Sequence, residues 1–80
     1  MKMTPGRIRA LEAVRDGKVV NRFDADGNVF VCPKGVSPRV CRQLQNERLI
    51  KDVPRQKTYG RFFTQMLTVA GWSALRESTP

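Results

Sequence analysis

The 80-residue chain contains no histidine, and that absence removes a large share of site chemistry. Histidine triads, histidine general bases and histidine metal ligands are all excluded. Cysteine is nearly as scarce. Cys32 and Cys41 are the only two, too few for a four-ligand zinc site and nine positions apart rather than in a CxxC clip. That spacing permits a disulfide, but reduced packing thiols are the favoured reading for a chain whose start shows no export signal. Long apolar runs are missing as well. The longest is four residues, Val29 to Cys32, so no segment is expected to span a membrane. Met1-Lys2-Met3-Thr4-Pro5 has no apolar stretch behind its charge, which argues against a secretory leader. The expectation is a small cytoplasmic protein, free in the cytoplasm or on the nucleoid, without metal or other cofactor and without catalytic activity.

Acidic residues are also few, with 7 Asp and Glu against 15 Lys and Arg, a net charge of +8. The mean hydropathy of −0.44 and 40% apolar residues fit a folded domain rather than a disordered tail. At this length one domain is expected over residues 1–80, with an ordered core over about 4–76 and a core small enough to leave stability modest. The excess charge is unevenly placed. Residues 1–33 carry +2, residues 34–61 carry +6 and residues 62–80 carry none. A localised basic segment points to an acidic partner more directly than an even solubility charge would.

Local signals order the chain. Thr4-Pro5 caps and starts a helix whose Ile8, Ala10, Leu11 and Val14 share one side, and Gly17 suits its end, giving a helix from Pro5 to Asp16. Val19–Phe23 and Val29–Cys32 read as two strands around an Asp-Gly turn. The Asp24-Ala25-Asp26-Gly27-Asn28 stretch fails as a calcium loop. Its glycine position would hold Val29, and its bidentate glutamate position would hold Gly35. Ser37-Pro38 opens a second helix with Val40, Cys41 and Leu44 on its buried side, ending near Asn46 to Arg48. Leu49–Val53 and Arg61–Leu67 read as strands flanking a polar basic loop. Thr68 caps a last helix with Ala70, Trp72 and Leu75 as its apolar contacts, Trp72 being read as core. Phe62 and Phe63 are adjacent in a strand and must face opposite ways.

Val36-Ser37-Pro38-Arg39-Val40, continuing through Leu44 to Glu47-Arg48-Leu49-Ile50, resembles the recognition helix and following strand of winged helix-turn-helix domains. Leu67-Thr68-Val69-Ala70-Gly71, with Leu75 four residues on, resembles the motif that closes the wing in regulators of the multiple-antibiotic-resistance type. Together these cover about half the chain, residues 36–76. The resemblance implies an α+β winged-helix domain in the order α-β-β-α-β-β-α. It implies too that the second helix enters a major groove while the Lys51–Leu67 hairpin follows the backbone or minor groove. Two departures stand out. The first helix of the usual helix-turn-helix is replaced by the Val19–Cys32 hairpin, which must brace the second helix itself or leave it without the usual docking pose. Arg48 occupies the place of a glycine.

The expected function is non-catalytic binding of double-stranded DNA, by a small transcriptional regulator or recombination accessory factor whose size suggests a phage or mobile element. Arg39, Arg42, Gln43 and Asn46, at i, i+3, i+4 and i+7, are the candidates for base edges, since Arg can fork onto guanine and Gln or Asn can pair with adenine. Lys34, Ser37, Lys51, Arg55, Lys57, Tyr59 and Arg61 are the candidates for backbone and wing contacts. A homodimer would have to use the short terminal helices. The alternative is a winged-helix module that grips an acidic partner protein. RNA binding is a third reading, weakened by the lack of an exposed aromatic pair on one sheet face and of an RNP pattern.

Overall fold

A computed structural model describes residues 3–24, 27–54 and 62–78. They form α1 (Pro5–Arg15), β1 (Val20–Asp24), β2 (Gly27–Val31), α2 (Pro38–Asn46), β3 (Ile50–Asp52), β4 (Phe62–Leu67) and α3 (Val69–Ser78). The order α-β-β-α-β-β-α is the one expected, and the result is a small α+β fold with three helices and a four-stranded antiparallel sheet among the described residues. Each helix starts at a hydroxyl. Thr4 Oγ1 accepts from Arg7 N at 3.3 Å, Ser37 Oγ from Val40 N at 3.4 Å and Thr68 Oγ1 from Gly71 N at 3.0 Å. Each satisfies an amide that the first helical turn leaves without a partner.

The strands lie in the order β2-β1-β4-β3. β1 is central, pairing Val20 with both Val31 and Thr64 and Arg22 with both Val29 and Phe62. β3 pairs Ile50 with Leu67 and Asp52 with Gln65. Because side chains alternate along a strand, this register sorts the sheet into two faces. Asn21, Phe30, Ile50, Gln65 and Leu67 share one face and are buried with the helices. Phe63 is on this side, its ring edge-on to Phe23 at 5.1 Å, whereas Phe62 on the other face is 50% exposed.

The core is one cluster in which Leu11 and Val14 of α1, Cys41 and Leu44 of α2, Val19 and Phe30 of the first hairpin, and Leu49, Ile50, Leu67 and Leu75 meet. Truncating a side chain such as Leu11 or Leu44 in so small a core typically costs about 2–5 kcal/mol. Two polar side chains enter it. Gln65 Nε2 donates to Asp52 Oδ1 at 2.6 Å and to the Phe63 carbonyl at 3.0 Å, while Asn21 is fully enclosed. An ion pair between Arg7 and Glu47 ties α1 to the end of α2. One expectation is corrected here. Trp72 is 46% exposed, and α3 buries Gly71 and Leu75 instead. The glycine brings the helix close to the Leu49 backbone, and Trp72, one position on and about 100° around the helix, is turned outward.

Arg48 has φ of 60°, left-handed backbone where a Cβ is crowded. The position that resembles a glycine site thus has a glycine's geometry. Arg48→Gly is expected to stabilise the protein by about 0.5–1 kcal/mol. The relief of a strain of about 1–2 kcal/mol is partly offset by the greater freedom of glycine in the unfolded chain. The midpoint of urea unfolding should rise; a fall would mean that the arginine side chain holds more structure than its exposed position suggests.

Candidate nucleic-acid interface

The exposed surface of α2 is built from its buried one. Ser37 and Pro38 set the first turn, Cys41 and Leu44 anchor the inner side, and partly buried Val36 and Val40 pack beside them. Arg39, Gln43 and Asn46 are left exposed along the outer side, at spacings that bring them onto one helical face. α2 carries no acidic residue in its first turn. The row therefore offers one guanidinium and two amides, the groups that can fork onto purine edges.

Arg42, the fourth member of that row, is held differently. Its Nη2 donates to the Asn28 carbonyl of β2 at 2.7 Å, and its guanidinium lies 5.5 Å from the centre of the Phe30 ring. It is half-buried against the first hairpin, whereas Arg39, Gln43 and Asn46 are not. The Sγ atoms of Cys32 and of Cys41, the residue before Arg42, meet at 3.5 Å, so β2 and the residue after it grip α2 at two points. The first hairpin thus braces α2 from one side, while α1 holds its end through the Arg7–Glu47 ion pair. The sequence hinted at this arrangement only through the absence of helical periodicity in residues 19–32.

The backbone candidates are less concentrated than the sequence suggested. Ser37 caps α2 and is exposed at its start. Lys34 is exposed in the preceding turn but lines a shallow groove of about 300 Å³ together with Arg9, Glu12, Asp16 and Lys18, a mixed-charge neighbourhood. Lys51 is exposed, yet its register places it opposite Met66, on the sheet face away from the one that α2 covers. Arg55, Lys57, Tyr59 and Arg61 lie outside the described residues. Comparison with protein-family models, with curated proteins and with solved structures found no match.

Both thiols are pushed up from the ordinary cysteine value. Burial raises Cys32, with its hydrogen bond to Cys41 working the other way. Burial raises Cys41 to about 12, and the neighbouring Cys32 adds to the rise. Such thiols stay protonated at neutral pH and serve as small apolar packing groups between the hairpin and α2. No helix of the described residues is long and apolar enough to cross a membrane. A second groove, of about 570 Å³, lies where Met3 and Ile8 meet Ala70, Ala74 and Glu77 of α3, away from the α2 row.

Proposed function

We propose that the chain is a winged-helix protein that binds double-stranded DNA without catalysis, in the role of a small transcriptional regulator or recombination accessory factor. The observation that carries this reading is the exposed row Arg39, Gln43 and Asn46 on α2, a helix anchored from behind and set in the segment that holds +6 of the +8 charge. In the proposed pose these three side chains meet base edges. Arg42 acts as a positioning residue, holding α2 at a fixed angle to the hairpin. Ser37 and Lys34 at the start of α2, and Arg55, Lys57, Tyr59 and Arg61 in the wing, contact phosphates and sugars and supply most of the affinity.

Fluorescence anisotropy with labelled duplexes over a range of salt concentrations tests this. Affinity should fall with salt, each neutralised phosphate contributing about −0.9 to the slope of log K against log salt. Arg55→Ala with Lys57→Ala should weaken all sequences alike and make the slope shallower by about two such steps. Arg39→Ala or Gln43→Ala should instead change the preference among sequences, by about 1–3 kcal/mol for each bidentate pairing with a base that is removed. Absence of binding at low salt, or a flat salt dependence, overturns the proposal.

A further inference from the structure

By residue type alone, the outward row of α2 holds two guanidinium groups and two amides, a set with no bias between guanine and adenine. Folding changes that balance. Arg42 donates to the Asn28 carbonyl at 2.7 Å and lies over the Phe30 ring, so reaching a base would cost it both contacts. Arg39, Gln43 and Asn46 are left exposed, one guanidinium against two amides. α2 contains no carboxylate, the group that would accept from the cytosine amine. Glu47, which follows Asn46 at the end of the helix, is paired with Arg7 of α1. The row is therefore equipped for purines and weighted toward adenine.

Spacing sets how the three side chains can be used. They fall within about 60° of arc on the helix, with Gln43 about 6 Å and Asn46 about 10.5 Å beyond Arg39 along its axis. Bases are stacked about 3.4 Å apart, so a helix laid along the groove spreads the row over about four base pairs. Resting on the DNA-binding reading proposed above, we infer that α2 reads one guanine and two adenines in that window, and that N6-methylation of either adenine excludes it. Arg39 takes the guanine, and Gln43 and Asn46 take one adenine each. The sensitivity follows from the amide. A Gln or Asn side chain pairs with adenine by accepting from N6–H and donating to N7. In a duplex one N6 hydrogen faces thymine, and only the other is offered to the major groove. A methyl group that leaves the base pair intact replaces that second hydrogen. The amide oxygen then loses its donor and is desolvated against a methyl group, the costly way to bury an acceptor. Guanine O6 and N7, which Arg39 would contact, are untouched by this modification.

The test begins by selecting targets of the whole protein from duplexes with a random centre. Enriched duplexes should share a window of about four base pairs that holds one guanine and two adenines. N6-methyladenine is then placed at each adenine of an enriched duplex in turn, and fluorescence anisotropy reads the affinity. Methylation of either adenine in the window should weaken binding by about fivefold or more, and methylation outside it should have no effect. Gln43→Ala and Asn46→Ala should each abolish the response at one of the two adenines and keep it at the other, a pattern that general weakening does not produce. Both side chains are exposed, so the variants should fold, which circular dichroism checks. Equal affinity for methylated and unmethylated duplexes overturns the inference. So do enriched windows of guanine and cytosine alone, binding with no shared window, or a response at both adenines that survives in both variants. Each of these results leaves salt-dependent DNA binding standing, whereas failure to bind any duplex at low salt ends both readings.

Discussion

Gly71→Ala is expected to destabilise the protein by about 2–3 kcal/mol or more, lowering the melting temperature by roughly 10–20 °C for a domain of this size. The sign is not the one that helix propensity gives, since alanine is better than glycine in a helix interior by about 1 kcal/mol. Packing reverses it. A Cβ built on Gly71 would stand 2.1 Å from the Leu49 carbonyl oxygen and 3.1 Å from its carbon. These are backbone atoms, so no rotamer change relieves the clash. Nor is that carbonyl free to turn, because it accepts a hydrogen bond from Thr68 N at 3.0 Å. The added methyl group must therefore push α3 off the Leu49–Ile50 segment, loosening Leu75 and the Thr68 cap, whose hydroxyl also donates to the Arg48 carbonyl at 2.7 Å. Gly6 is the internal control. It also lies in a helix, but a Cβ there would meet only Thr4 Oγ1, at 4.0 Å, so Gly6→Ala should leave stability unchanged or raise it by up to about 1 kcal/mol. Thermal unfolding of both variants checks the pair. Equal effects would show that close approach is not what the Leu-Thr-x-Ala-Gly stretch provides.

That stretch also shows which features the sequence made legible. The three helix starts were readable because a hydroxyl cap acts within its own turn, and Thr4, Ser37 and Thr68 all bond the amide three residues on. The first hairpin was readable because Asp-Gly between β-branched runs is a local signal, and the opposite facing of Phe62 and Phe63 follows from strand geometry alone. What could not be read depends on which surfaces meet. Trp72 looks like core by size, but the small residue beside it, not the large one, sets which side of α3 packs. Arg42 sits in the same helical row as Arg39, Gln43 and Asn46. Only the docking of β2 separates it from them, through a carbonyl 14 positions away in the chain. Lys51 counted toward the basic segment, yet a three-residue strand carries it to the far side of the sheet. For Lys51, nearness in sequence to the basic segment is not nearness in space to the α2 row.

Oxidised glutathione is expected to convert Cys32 and Cys41 into a disulfide and to raise the melting temperature by roughly 10–20 °C, about 2–3 kcal/mol for the short loop that the bond closes. The sulfurs stand 3.5 Å apart in the reduced protein, so small side-chain rotations bring them to bonding distance. The exchange balances in two steps. The more accessible Cys32 thiolate attacks the glutathione disulfide and releases one glutathione thiolate. The Cys41 thiolate then attacks the mixed disulfide and releases the second. Two protons leave the protein, and two electrons pass to the oxidant. Because both thiols are pushed up from their ordinary value, the reactive thiolate is scarce at pH 7, and the rate should rise about tenfold per pH unit from pH 7 to 9. The same shifts fix the sign of a stability effect. Above pH 9.0, the ordinary value, unfolded thiols release protons that the folded ones retain, so the reduced protein loses stability as pH rises toward about 12. The disulfide form has no thiol to ionise and escapes that loss, so the gap between the two melting temperatures should widen with pH. Thiol titration and a mass decrease of about 2 Da report the bond, and Cys32→Ala should abolish both the bond and the widening. Under the proposed DNA-binding reading, duplex affinity should change little, because the bond forms between α2 and the hairpin, on the side of the helix away from Arg39, Gln43 and Asn46. A disulfide form that bound DNA much more weakly would mean that α2 must move against the hairpin when it docks.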